Sequence, residues 1–299
     1  MVGQSLVRAL SSSAITLLET DRKTLDLRHQ DAVKTWMSRH KPDAIFLAAA
    51  TVGGIEANRT RPGEFLYDNL MIAANVIDAA AETGVEKLLY LGSSCIYPRD
   101  CAQPISESSL MTGPLEKTNE AYALAKITGI ALCQSYRTQY GCNFISTMPC
   151  NLYGPGDRYD ALQSHVIPAL IMKFDDALRV GADHVTLWGT GTPLREFLYI
   201  DDLAKALIVM MNDYDGAMPL NIGSGVEISI ANLAQMIADE IGYHGQIHFD
   251  ASMPDGTPRK VLDSTNLRAL GWAPSVDFHT GLRGAILDYR GRRVITHAA

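Results

Sequence analysis

Short apolar runs alternate with stretches of helical periodicity through the first half of the chain, and that alternation leaves few folds open. "AITLLE" (14–19), "AIFLAAA" (44–50), "KLLYLGS" (87–93) and "NFISTMP" (143–149) read as strands. "DAVKTWMSRHKP" (31–42) reads as a short helix stopped by Pro42. "LYDNLMIAANVIDAAAETG" (66–84) is a long helix with Gly84 just past its end, and "NEAYALAKITGIALCQSYRTQYG" (119–141) is another. Strand, helix, strand, helix predicts a parallel sheet with helices on both faces. Runs that are apolar throughout predict strands buried on both sides. The very first residues, "MVGQSLVRAL", already carry helical spacing at Val2, Leu6, Val7 and Leu10, with no strand and no glycine turn before them.

After about residue 151 loops lengthen and Pro and Gly thicken, as in "LYGPGDRYD", "WGTGTPLREF" and "DASMPDGTPRK". Helical patterns return at 201–212, 229–241 and 278–290. The division expected is a Rossmann-type domain over residues 1–155 and a smaller, mainly substrate-binding lobe over 156–299, with some later segments returning to the first. Asp201 and Asp202 look like paired carboxylates but read as the N-terminal cap of the helix that follows.

At 299 residues, 47% of them hydrophobic, the chain can bury a sizeable core. Its net charge of −7 and the shortness of its one basic run, "RGRR" (290–293), argue against non-specific nucleic-acid binding. Cys95, Cys101, Cys133, Cys142 and Cys150 are odd in number and form no C-x-x-C pair. The most apolar stretches are too short to cross a bilayer. These features predict a soluble chain in a reducing compartment, the cytoplasm. No His or Cys spacing suggests a metal.

Tyr122 and Lys126 form Y-x-x-x-K, which stands both side chains on one helix face, one turn apart. A lysine ammonium there stabilises a phenolate, and a tyrosine so tuned can pass a proton while a hydride moves. Alone the pattern is weak, because Tyr and Lys four apart are common on solvated faces. "LGSSCIYP" (91–98) adds context. It follows a strand, where the C-terminal edge of a parallel sheet binds ligands, and Ser93 there could hold a substrate oxygen or simply make a turn.

Ser93 with Tyr122-x-x-x-Lys126 resembles the extended short-chain dehydrogenase/reductase superfamily of nucleotide-sugar enzymes. "AAATVGGIEAN", "LGSSCIYP", "NEAYALAKI", "NLYGP", "SHVIPAL", "GTPLREFLYIDDLA", "NIGSG" and "PDGTPRK" stand in register from residue 48 to 260. Together they are similar to the GDP-L-fucose synthase family, the NADPH-dependent 3,5-epimerase/4-reductases of GDP-4-keto-6-deoxy-D-mannose. "GSSCIYP" and "SHVIPAL" are specific to that family; Y-x-x-x-K is not.

The resemblance implies that Cys95 is the base and His165 the acid for epimerisation at C3 and C5, chemistry that needs a proton acceptor, a donor and a group to steady an oxyanion. Ser93 and Tyr122 would hold the C4 oxygen, and Tyr122 would protonate it. Lys126 would bind the nicotinamide ribose and tune Tyr122, with Pro149, Asn151 and His165 near the nicotinamide. A thiol is a plausible base, with an ordinary pKa of about 8.5 that cationic neighbours lower. From the residues alone, Cys95 reads equally as a small buried hydrophobe and His165 as a structural histidine. Arg195, Lys260, Trp188 and Asp255 match family positions that contact the GDP-sugar. Lys173 stands where relatives carry arginine, which puts a bidentate contact there in doubt. The alternatives are solvated charges and, for Trp188, a core position. The resemblance also implies a homodimer through a four-helix interface built from the helices near 66–84 and 119–140, with no nucleic-acid or membrane partner.

The family begins with a strand and G-x-x-G-x-x-G, whose glycines let a pyrophosphate approach a helix N-terminus. Here only the last glycine, Gly3, matches. The expectation is therefore an N-terminally truncated chain. A central strand carries four or five buried aliphatic side chains, so its loss would cost roughly 6–15 kcal/mol. Arg22, just past the second expected strand, suits the 2′-phosphate of NADP, while Glu19 and Asp21 nearby leave NAD open. Two other readings of the same residues are a sister nucleotide-sugar epimerase or dehydratase and a non-catalytic GDP-sugar-binding protein.

Overall fold

A computed structural model describes residues 1–160, 164–253 and 255–297, with side chains through residue 293; Pro254, the first residue of "PDGTPRK", lies outside them. Helix α1 (Val2–Leu10) opens the chain and α2 (Gln30–His40) follows. Strand β1 (Ala44–Leu47), helices α3 (Ile55–Thr60) and α4 (Pro62–Thr83), strand β2 (Lys87–Leu91), helix α5 (Glu120–Tyr140) and strand β3 (Asn143–Pro149) complete the first half. The second half runs through β4 (Asn151–Tyr153), α6 (Val166–Val180), β5 (His184–Trp188), β6 (Leu194–Tyr199) and α7 (Ile200–Asp213). It continues with β7 (Leu220–Ile222), β8 (Glu227–Ser229), α8 (Ile230–Ile241), β9 (Gln246–Asp250), β10 (Arg259–Lys260), α9 (Thr265–Arg268) and α10 (Phe278–His297).

The main sheet is parallel, in the order β1-β2-β3-β7. Helices α2, α4 and α5 pack in series on one side and α1 with α7 on the other, so the doubly wound α/β class is as the alternation predicts. Helix α4 buries Phe65, Ile72, Val76 and Ile77, spaced along one stripe; each contributes about 1.5–3 kcal/mol by leaving water. It ends at Gly84, whose φ of 74° lets its N–H turn back to the carbonyls of Ala80 and Ala81. Strands β2 and β3 are buried almost throughout.

Two expected strands differ. Residues 14–19 are not a strand: Ile15 and Leu18 are 56% and 43% exposed, and nothing among the described residues pairs with the segment. A strand exists only as a member of a ladder, and a lone apolar run gains nothing by extending. Strand β1 stops at Leu47 rather than at 50, and Ala44 is exposed with Ile45 and Phe46 half-buried, because among the described residues β1 pairs only with β2 and forms the sheet edge.

The reading of Asp201 and Asp202 as a cap is also corrected. Both lie inside the first turn of α7, and the residue before it, Tyr199, caps nothing with its side chain. Asp201 instead ties α1 to α7, accepting from Ser5 Oγ at 2.5 Å and from Arg8 Nη2 at 2.6 Å. Asp202 is wholly buried and gathers the backbone N–H groups of Ser275 and Val276, both at 2.8 Å, the Ser275 hydroxyl and Lys205.

The second core collects α6, α8 and α10 around Phe174, Ile171, Leu233, Ile237 and Leu282. Beside it, β6 pairs in parallel with β4 and β10, and β5 pairs with β9. Buried residues between Leu198 and Ile222, and Leu262, Leu267 and Trp272, contribute to the first core.

Candidate active site

Strand β2 delivers the site. At its C-terminal end Gly92 donates its N–H to Thr147 O of β3 at 2.7 Å, and a Cβ on Gly92 would stand 2.9 Å from that same oxygen. The chain then turns. Ser93 Oγ accepts the N–H of Cys95 at 3.2 Å, which curls Ser94–Ile96 into a single 3₁₀ turn and leaves the Cys95 thiol half-buried. Helix α5 packs on that turn and brings Tyr122 to it. The phenol faces the Ser93 hydroxyl and the Cys95 thiol. Phe65 of α4 meets the Tyr122 ring edge-on, with centroids 6.3 Å apart.

One turn on, Lys126 is 3% exposed and its Nζ donates to Leu91 O at 2.7 Å. Burial pulls its pKa down to about 7. Burial pushes the Tyr122 phenol well above its ordinary value, with a smaller upward push from nearby Cys95 and a downward one from Ser93. The structure thus brings Ser93, Cys95, Tyr122 and Lys126 together: a phenol that holds its proton, a thiol beside it and a buried ammonium behind it.

His165 precedes α6 and is exposed. Its charge acts on the buried Asp157, and no hydrogen bond joins it to Ser93, Cys95 or Tyr122. Pro149 ends β3, next to the end of β2, and Asn151 reaches across to Glu196 O of β6 at 2.9 Å.

A cleft of about 20 Å³ opens beside the thiol, walled by Cys95, Arg99, Glu116, Arg259 and Lys260. Arg259 is spent on Glu227, through two bonds of 2.7 Å. Lys260 pairs with no carboxylate among the described residues, and the β6–β10 register sets it directly opposite Arg195. Burial lowers the Arg195 pKa against the pull of Asp255, so a desolvated guanidinium and an ammonium lie side by side. Trp188 is not core: it ends β5 with 64% of its surface exposed. Asp255 accepts from the N–H and hydroxyl of Thr190 at 2.9 and 2.7 Å, which holds its loop over the end of β5. Lys173 of α6 donates to Thr186 O of the same strand at 3.3 Å.

A second cleft, about 150 Å³, lies beyond the C-terminal end of β1, between the segment 20–28 and α4, and Arg22 is on its wall. The Arg22 guanidinium is exposed and 3.9 Å from Asp26. Gly3 is an exposed residue of α1 with open space around it.

Sequence reasoning missed three groups. Arg28 clamps Asp26 at 2.6 Å and the buried Asp68 at 3.0 Å, which shapes the second cleft and holds the Asp26 carboxyl far below the usual range. Asn221 is fully buried; it accepts from Tyr97 Oη at 2.6 Å and donates to the carbonyls of Ile105 and Asp263. Glu196, also fully buried, accepts from the N–H groups of Gly225 and Leu262, and burial pushes its pKa up. The one signal was polarity inside apolar runs, as in "LREFLY" and "LNI".

The NAD dependent epimerase/dehydratase family model matches residues 1–223. The chain is 51% identical over 282 residues to the GDP-L-fucose synthase of Sinorhizobium fredii (strain NBRC 101917 / NGR234), covering 94% of this chain and 90% of that protein. It is 48% identical over 292 residues to the GDP-L-fucose synthase of Escherichia coli (strain K12), covering 94% and 91%. Among solved structures, a GDP-L-fucose synthetase from Naegleria fowleri bound to NADP superposes with a TM-score of 0.89 at 27% identity, over 98% of this chain and 92% of that one. The chain belongs to the NAD dependent epimerase/dehydratase family, on its GDP-L-fucose synthase branch.

Proposed function

We propose that this chain is an NADP-dependent enzyme that epimerises C3 and C5 of GDP-4-keto-6-deoxy-D-mannose and then reduces C4, giving GDP-L-fucose. The observation that carries the reading is the cluster of half-buried Ser93, Cys95 and Tyr122 in front of the buried Lys126, beside the Arg195–Lys260 pair. The first suits a ketone and its alpha protons; the second suits a diphosphate.

Cys95 takes the protons alpha to the ketone, and His165 returns a proton to the opposite face. Ser93 and Tyr122 donate to the C4 oxygen while it carries enolate charge. A phenol whose burial keeps it protonated is matched to that duty, and Tyr122 then gives its proton to the C4 oxygen on reduction. Arg195, Lys260 and Lys173 hold the diphosphate, with Trp188 and Asp255 at the nucleotide end. Trp188 offers an open aromatic face where a base can stack.

NADP fits the residues present on one structural ground: Lys126 is a buried ammonium with a single carbonyl partner, and ribose hydroxyls would supply the acceptors it lacks. Lys126 and Tyr122, with Pro149, Asn151 and His165, would hold the nicotinamide half; Arg22 and Gly3 would face the phosphates. The bound cofactor supplies the hydride. Residues 1–155 would form the cofactor domain and 156–299 mainly the substrate lobe. The exposed Leu66, Tyr67 and Leu124 on α4 and α5 support a homodimer through those helices. The five free cysteines support a reducing compartment, the cytoplasm; among the described residues no helix is long and apolar enough to cross a membrane.

The test is loss of NADPH absorbance on adding GDP-4-keto-6-deoxy-D-mannose, with the product sugar identified by NMR. GDP-L-fucose is expected. Substrate binding without NADPH consumption would instead support a non-catalytic GDP-sugar-binding protein.

A further inference from the structure

Tyr90 is the penultimate residue of the buried strand β2, 1% exposed, yet among the described residues its hydroxyl has no hydrogen-bond partner. A buried phenol without a partner is costly, and the ring must bring a compensating gain. The hydroxyl end of the ring reaches α5 at Gly129. A Cβ built on Gly129 would fall within 2.6 Å of the ring carbon Cε1, so only glycine leaves room there. Glycine inside a helix is itself unfavourable, which makes the gap a second feature in need of a reason.

The two meet at Lys126, one turn before Gly129. Its Nζ stands 4.9 Å from the centroid of Tyr90 and 5.9 Å from that of Tyr122. Of its three N–H donors, only the one to Leu91 O finds a hydrogen-bond partner, and no carboxylate pairs with it among the described residues. No charge from β2, β3, α4 or the Ser94–Ile96 turn offsets the cost of its burial. What faces it is aromatic: Tyr90 from β2 and Tyr122 from its own helix. Behind these stand Cys133 toward Tyr90, and Ser93 and Cys95 toward Tyr122. A desolvated ammonium over an aromatic face is held by the ring quadrupole.

We propose that Tyr90 is a positioning residue for the C4 reduction: its ring face carries the charge of the Lys126 ammonium and fixes it between Leu91 O and Tyr122, through the gap left by Gly129. The proposal rests on the functional reading above for what Lys126 does, but its first test does not. The ring favours charged lysine, so removing it lowers the pH at which Lys126 loses its proton, by about one unit.

The experiment follows the Lys126 ¹³Cε resonance against pH in lysine-labelled protein without cofactor or substrate, assigned by Lys126→Arg. Tyr90→Leu is expected to shift the titration down by about one unit, and Tyr90→Phe, which keeps the ring and removes the orphaned hydroxyl, to leave it within about 0.3. NADPH oxidation should then lose its alkaline limb about one pH unit earlier in Tyr90→Leu, with KM for the GDP-sugar unchanged and Tyr90→Phe behaving as the parent. Folded Tyr90→Leu with the parent's titration overturns the proposal, and so does Tyr90→Phe shifting as far as Tyr90→Leu. A shifted titration in a protein that oxidises no NADPH would sustain the ring–ammonium contact while refuting the functional reading.

Discussion

Tyr97→Phe tests whether the Cys95 turn is held from behind. Tyr97 is two residues past Cys95 and 3% exposed, and its hydroxyl donates to Asn221 Oδ1 at 2.6 Å. Asn221 uses its amide N–H groups on Ile105 O at 2.8 Å and Asp263 O at 3.1 Å, and its backbone N–H on Glu107 Oε1 at 3.1 Å. One buried side chain therefore knots the segment carrying Cys95 to the one that follows Lys260. Removing the Tyr97 hydroxyl deletes one hydrogen bond and leaves Asn221 Oδ1 buried with no other partner among the described residues. The expected loss is about 1–3 kcal/mol, because the stranded acceptor forfeits its solvation as well as its bond. Urea unfolding of the two proteins side by side measures it.

A double-mutant cycle with Asn221→Ala sharpens the test. The two sites touch, so their effects should fail to add by about 1–2 kcal/mol. Deuterium exchange at C3 and C5 of the keto sugar should slow about tenfold in Tyr97→Phe, since a thiol displaced by an ångström loses its approach to the proton. Additive losses, or a Tyr97→Phe cost below about 0.5 kcal/mol, would refute the knot.

Cys95→Ser should abolish that exchange while Tyr122→Phe retains it but loses NADPH oxidation; equal exchange in Cys95→Ser and the parent would remove the thiol from the mechanism. Trp188→Ala should leave stability within about 0.5 kcal/mol, as for an exposed side chain, and raise KM for the GDP-sugar about tenfold, read from initial rates. Lys126 titrates near 7 folded against 10.5 as its ordinary value, so between those limits the unfolded chain binds more protons and this group's contribution to stability rises with pH. Lys126→Met should accordingly gain most over the parent below pH 7 and progressively less above it, and a gain that is the same at about pH 6 and about pH 9 in urea unfolding would contradict the buried-ammonium assignment. Asp202→Ala should cost roughly 3 kcal/mol or more, because burial disfavours its charge but the bonds from Val276, Ser275 and Lys205 outweigh that and keep its pKa low.

What the sequence disclosed follows from how local each cause is. Gly84 and the stripe at Phe65, Ile72, Val76 and Ile77 announce helix α4 because capping and burial repeat within a few residues. Ser93 and Cys95 lie two apart, and Tyr122 and Lys126 four apart, so turn and helix geometry alone set each pair on one face. What joins the pairs is the packing of α5 on the turn after β2. No spacing encodes that, and only the resemblance anticipated it. Asp202 was misread for the same reason: an acid at a helix start is a cap if the partners are local N–H groups, but its partners lie near residue 275. Asn221 and Glu196 were invisible because their hydrogen-bond partners come from several distant segments.

The segment 14–19 carries the argument furthest. Its composition is as strand-like as that of β2, with Ile15, Leu17 and Leu18 within four residues. Yet β2 is a strand because β1 and β3 flank it in register, Ile45 against Leu88 and Leu88 against Phe144. Residues 14–19 have no such neighbours, so their N–H and C=O groups stay with water and two of their aliphatic side chains stay exposed. Propensity here proposes an element and the ladder decides it. A companion strand beside β1 would change the balance at once: it would offer 14–19 a hydrogen-bonding edge and bury β1 on its open side. Appending such a strand and a glycine turn to this chain should therefore protect the amides of residues 14–19 and 44–47 together in hydrogen exchange. Protection of either segment without the other would mean that the apolar run at 14–19 is held by something other than the sheet.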